Sequence, residues 1–222
     1  MIIYDWCREL LALSEQDWAS YARSQDPLRG RVSAQEYLAF YRQAQACGRQ
    51  QADALRQKWG GHTAREYAAL LDVQVQDEPM PPGDGYITFA CYYEPDRIVL
   101  YADNARDAQG LLEDGGLLPL TGAVQLPELV LAHELYHVVQ ARSSGLFPTQ
   151  QHITLWKLGR FHRRSRLPSL EEVAAMGFAQ ALCGAQCCPF LFDVFLLLPR
   201  HPQRAKQLYQ TLMRLHSENE GA

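Results

Sequence analysis

The sequence predicts an α+β fold, mostly helical, with a small antiparallel sheet ahead of a helix that bears H-E-x-x-H. Three observations carry this prediction. Residues 1 to about 72 repeat apolar side chains at helical spacing behind helix-start signals. Residues 73–101 change to alternating and β-branched or aromatic runs. Then Leu131-Ala132-His133-Glu134-Leu135-Tyr136-His137 sets two imidazoles and a carboxylate among apolar neighbours.

In the first region Ser14-x-x-Asp17, Ser33-x-x-Glu36 and Thr63-x-x-Glu66 read as capping boxes. The longest helix should run from about Ala34 to Trp59, where Gly60-Gly61 stops it. Tyr37, Phe40, Tyr41, Ala44 and Cys47 share one face of it and read as core. Val73 to Gln76 alternates as a half-buried strand does. Pro79 to Gly85 reads as a loop, Tyr86 to Tyr93 as a strand, Glu94 to Arg97 as a turn and Ile98 to Tyr101 as the returning strand. A short helix is expected at about Ala105 to Leu112 and a loop from Gly115 to Gly122. Pro127 suits the first turn of the motif helix, which should end near Ala141. Ser143 to Pro168 reads as a solvated basic loop, with a short strand possible at His152 to Trp156; an anionic substrate or partner is the other reading of its charge. Helices follow from Pro168 towards Gly184, from Pro189 to Leu198 and from Pro202 to about His216.

Composition narrows the function. A chain of 222 residues, 47% hydrophobic, can bury a core without staples and suits one domain over 1–222, with 1–72 as its helical N-terminal part. A net charge of −4 gives no sign of nucleic-acid binding. The N-terminus lacks a basic region followed by a cleavable apolar run, and no stretch is apolar enough to span a bilayer, so a soluble cytoplasmic protein without membrane attachment is expected. Cys7, Cys47 and Cys91 read as small core residues. Cys183, Cys187 and Cys188 cluster, and Cys183 and Cys187 would share a helix face. Without a C-x-x-C pair they too read as packing.

The motif carries the chemistry. On a helix His133 and His137 lie one turn apart on one face, so both imidazoles can hold one Zn²⁺, and Glu134 beside them can take a proton from a metal-bound water. A catalytic zinc needs a third protein ligand. His152, His162, Glu171, Glu172, His201 and His216 are the downstream candidates. Glu171 and Glu172 stand at the start of an Ala-rich helix able to pack closely on the motif helix. Their positions are also those of a capping box, Ser169-x-x-Glu172, and of acids favoured by the helix dipole.

His133-Glu134-Leu135-Tyr136-His137 followed by Glu172-Val173-Ala174-Ala175-Met176-Gly177-Phe178-Ala179 resembles the gluzincin metallopeptidases, especially the ImmA/IrrE type. The likeness spans roughly residues 85 to 180. It implies a zincin-like fold, His133, His137 and Glu172 as zinc ligands, Glu134 as general base, and hydrolysis of a peptide or protein substrate. Met176 departs from the Asn or Asp usual at its position, and no helix-turn-helix accompanies the motifs. An edge strand, Tyr86 to Tyr93, would align an extended substrate. Tyr136, about 60° round the helix from His133, is a possible oxyanion donor and otherwise a packing residue. The alternative to a peptidase is a catalytically silent metal-binding scaffold acting as a protein-interaction module; a plain helical interaction protein is a further one.

Overall fold

The computed structural model describes residues 2–79 and 88–221. Local signals set the ends of its N-terminal helices. α1 spans Ile2–Leu11 and α2 spans Glu15–Gln25, opened by the reciprocal Ser14–Asp17 capping box. α3 spans Ala34–Trp59 as the sequence predicts. The Ser33 hydroxyl accepts from the Glu36 N–H at its start, and Gly60 ends it at φ +87°. Tyr37, Tyr41 and Ala44 are fully buried along one face. α4, Ala64–Leu70, begins with the Thr63–Glu66 capping box.

A mixed sheet follows. β1 is Gln74–Asp77, β2 is Ala90–Tyr93 and β3 is Arg97–Leu100, in the order β1-β3-β2. β2 and β3 form the expected antiparallel hairpin, but β1 runs parallel to β3. Alternation reports a half-buried strand and not its direction, so the expectation of a purely antiparallel sheet fails here. Pro79 is irregular, and the remainder of the loop expected to Gly85, with Tyr86 and Ile87, lies outside the described residues. Thr88 and Phe89 are not strand, so β2 is shorter than expected.

α5, Ala102–Asp114, outruns its expected length, and a short α6, Leu118–Thr121, stands where a loop was expected. α7, Leu126–Arg142, carries the motif. Pro127 lies in its first turn, and Gln109 of α5 accepts from the Leu126 N–H at 2.9 Å. α8 is Phe147–Gln150. The expected basic loop is instead a hairpin of β4, Ile153–Leu158, and β5, Phe161–Ser165. A bulge between Thr154 and Trp156 breaks the alternation that would have disclosed it.

α9 spans Ser169–Cys183, α10 Leu191–Leu197 and α11 Pro202–Glu220. α11 continues past His216 because its last turns are anchored. Buried Asp17 accepts from Asn219 Nδ2 at 2.7 Å and pairs with His216 Nδ1 at 2.9 Å. The Ser169–Glu172 capping box does not form. The Ser169 N–H and hydroxyl both donate to buried Asp26, at 3.1 and 2.6 Å, and the Tyr37 hydroxyl lies 2.6 Å from the Ser169 Oγ. A carboxylate from outside the helix takes the capping role, which leaves Glu172 free to face elsewhere.

α9 is fixed most closely by α3. A Cβ on Gly48 would stand 1.9 Å from the Ala174 carbonyl oxygen, and one on Gly177 would stand 2.7 Å from that of Gln45. The two backbones therefore meet where only glycine fits. The Ala-rich face expected to meet the motif helix thus serves α3 first; α7 meets α9 through Tyr136, whose ring lies 5.8 Å from that of Phe178.

Candidate metal centre

α7 is buried nearly all round, through Leu129, Val130, Leu131, Ala132, Leu135, Tyr136, Val138 and Val139. His133, Glu134 and His137 are partly exposed and form its polar stripe. The first turn of α9 lies opposite. Glu172 Oε2 is 3.1 Å from His133 Nε2, and Oε1 is 3.8 Å from His137 Nε2. One donor atom from each of the three lies within 4.8 Å of the others.

Mutual charge polarises this cluster. Burial alone would raise Glu172, but the hydrogen bond and charge of His133, then His137, hold it down at about 2. Burial would lower His133, but Glu172, then Glu134 and Asp193, lift it to about 9. His137 is lowered, by burial and by the neighbouring charge of His133, against the pull of the carboxylates. One imidazolium thus stands among acids where a divalent ion could stand. Donors about 2.0–2.1 Å from one ion at tetrahedral angles lie about 3.4 Å apart. The separations of 3.1 and 3.8 Å, to the two oxygens of Glu172, lie on either side of that value, and two imidazoles with one carboxylate leave a fourth position open. The donor set could hold a metal ion.

Glu134 links the centre to the sheet. Its Oε2 accepts the Tyr92 N–H at 2.9 Å. Phe89 and Tyr101 are bonded across the hairpin, so the alternation of an antiparallel ladder turns the N–H and C=O of Ala90 and Tyr92 to the outer edge of β2, which no strand among the described residues covers. That edge borders the motif. One of its donors is spent on Glu134 and the Tyr92 carbonyl accepts weakly from the Cys91 thiol, so that among the described residues the Ala90 groups are left for a ligand.

A cavity of about 600 Å³ opens on this edge. His133, Glu134 and Glu172 line it, with an apolar wall that includes Phe89, Leu129, Val130, Met176, Phe192 and Leu196. Asp193 and Tyr21 line it too, and sequence reasoning missed both. The Tyr21 hydroxyl donates to Asp193 at 3.3 Å. Burial pushes Asp193 up to about 7, against the lowering by His133 and Tyr21. A signal existed: Asp193 is the one charge in the apolar run Phe190 to Pro199.

The other candidates fall away from the centre. Glu171 pairs with Arg166 at 3.4 Å. His152 bonds the Gln150 carbonyl at 2.6 Å, His162 is exposed on β5, His201 precedes α11 without a side-chain cap bond and His216 serves Asp17. Tyr136 is wholly buried against Phe178 and does not line the cavity, so it is a packing residue. α9 ends at Cys183, with Gly184 left-handed, so Cys183 and Cys187 share no helix face. Burial pushes all three thiols of that cluster up to about 12.

Comparison of the chain with protein-family models, with curated proteins and with solved structures finds no match. Among the described residues no single helix is long and apolar enough to cross a membrane.

Proposed function

We propose that this chain is a zinc-dependent peptidase of the gluzincin kind, resembling the ImmA/IrrE group. The observation that carries the reading is the convergence of His133, His137 and Glu172 beside a cavity that His133, Glu134 and Glu172 line. His133, His137 and Glu172 would hold the ion. When bound, zinc supplies Lewis acidity, acidifying a water and polarising a carbonyl.

The chain's own groups do the rest. Glu134 accepts the proton of the attacking water and delivers it to the leaving amine. The Tyr92 N–H holds one Glu134 oxygen in place, which leaves the other oxygen for that proton. The β2 edge positions an extended peptide through the N–H and C=O of Ala90. The apolar wall excludes water from the reacting centre and receives substrate side chains.

The test joins metal analysis to a broad peptide-library cleavage assay on wild type and Glu134→Gln. Bound zinc with cleavage in wild type, and zinc without cleavage in the variant, supports a peptidase. Zinc in both and cleavage in neither would favour the silent scaffold. Absence of zinc would remove both readings.

A further inference from the structure

The β4–β5 hairpin stands apart from the candidate metal centre. Its base is anchored, with Ile153 in the core and Leu155 packed against it, while beyond that base the strands pair chiefly with each other. A two-stranded hairpin alone is marginal in water. It closes through the two-residue turn Gly159-Arg160, with Gly159 at φ +58°.

Its register sorts the side chains. Leu158 opposes Phe161, and Trp156 opposes Arg163, so the three apolar groups share one face at the tip. Leu158 is 75% exposed, Phe161 60% and Trp156 51%. Lys157 and His162 oppose each other on the reverse face, with Arg164 farther back. Arg160 lies over the Phe161 ring at 5.2 Å. No Asp or Glu occurs from 152 to 166, in a chain whose net charge is −4. Arg166 pairs with Glu171, but Lys157, Arg160, Arg163 and Arg164 have no carboxylate partner among the described residues.

We propose that this hairpin docks on the surface of an anionic lipid bilayer, with Trp156, Leu158 and Phe161 entering the headgroup–acyl boundary and the four cations meeting lipid phosphates and carboxylates. The shape favours a bilayer. A projecting apolar tip ringed by cations needs no matching concavity in a fluid surface. Arg160 and Lys157 have stems long enough to keep their charges at headgroup level. A second copy would bring the same cations against these, and edge cations discourage strand pairing. A nucleic acid would gain from Trp156 and Phe161 by stacking, but Leu158, the most exposed of the three, has no π-face to offer.

The test uses the whole chain with vesicles of phosphatidylcholine alone and of phosphatidylcholine mixed with phosphatidylserine. Co-flotation with the mixed vesicles and a blue shift of Trp156 emission, read against Trp156→Phe, are expected. Leu158→Ser with Phe161→Ser should abolish both without unfolding, since these side chains are solvent-facing. Each of Lys157→Ala and Arg164→Ala should weaken binding about fivefold. Absence of flotation with the mixed vesicles overturns the proposal. So does flotation that survives the double serine substitution, or that is equal on both vesicle types. Concentration-dependent dimerisation lost in the double variant, or oligonucleotide binding without flotation, would assign the tip to another occupant. None of these readouts depends on peptidase activity.

Discussion

Ligand-type side chains gather in sequence at both ends of α9, but among the described residues only its start brings three donor atoms within reach of one ion. At the start, Glu172 stands 3.1 Å from His133 and 3.8 Å from His137, at the positive end of the helix dipole. At the end, Cys183 sits at the negative pole, and Cys187 and Cys188 follow in the turn beyond. The first cluster holds one carboxylate already charged at any ordinary pH. In the second, burial and, at Cys183, the charge of Glu128 disfavour the thiolate that a metal requires. The Cys188 thiol lies 3.8 Å from the Tyr41 hydroxyl and the Cys187 thiol donates weakly to the Thr121 carbonyl. Donor type alone does not make a site. The donor must reach its binding form and share an opening with the others.

The largest test of this contrast compares ligand removals. His133→Ala, His137→Ala and Glu172→Ala should each weaken zinc binding by about 10² or more, since even outer partners of a ligand are worth 10- to 100-fold. Cys183→Ser with Cys187→Ser and Cys188→Ser, and Glu171→Ala alone, should leave metal content unchanged on folded protein. Zinc lost from the cysteine variant and kept in the histidine variants would invert the contrast. Zinc lost with Glu171→Ala and kept with Glu172→Ala would break the second motif.

Next in size is Glu134→Gln. The change removes a base and keeps a hydrogen-bond acceptor for the Tyr92 N–H. Zinc should stay while cleavage falls by about 10² or more. Equal loss of metal would make Glu134 a ligand rather than a base, and the start of α9 would no longer complete the site alone.

What the sequence disclosed follows the range of each interaction. Ser33, Gly60 and Pro127 act within a turn of their own position, so α3 and α7 were legible nearly end to end. His133 and His137 were legible because helical geometry alone places them together. The Ser169 cap was misread because its hydroxyl answers Asp26, a residue 143 positions away. Asp193 was missed for the same reason, since only the packing of α10 brings it to the cavity wall. Glu172 was separable from Glu171 only through the family resemblance. Its freedom from capping depends on Asp26, which local pattern does not reveal.

Gly48 tests what holds α9 in place. A Cβ there would meet backbone atoms of Ala174 and Phe178, which cannot step aside as a flexible side chain would. Gly48→Ala should destabilise the fold by about 1–3 kcal/mol, read from the denaturant midpoint. If α3 positions the start of α9, zinc affinity should fall with stability. Stability lost with affinity intact would mean that α7 alone sets Glu172 against the histidines.

The smallest effect is the pH dependence of the metal-free protein. His133 rises from 6.5 to about 9 on folding, so its contribution is complete below pH 6.5 and is lost as pH climbs through about 9. Glu172 falls from 4.5 to about 2, so its contribution is complete above pH 4.5 and is lost as pH drops towards about 2. His137 moves the other way and costs stability as pH falls below 6.5, yet the Glu172 charge acts on both rings in the same sense. Glu172→Gln should therefore cost most between pH 4.5 and 6.5, and the gap to wild type should close as pH approaches about 9. Glu172 keeps 56% of its side-chain surface exposed, which limits the gap to about 1 kcal/mol. Urea unfolding with a chelator present measures it. The cysteine variant should show no such pH-dependent gap below about 9, because the wild-type thiols, raised on folding from 9.0 to about 12, are protonated in its folded and unfolded states alike at those pH values. A gap that widened on the alkaline side for Glu172→Gln would mean that His133 is neutral beside Glu172, and that the start of α9 carries no ion pair for a metal to replace.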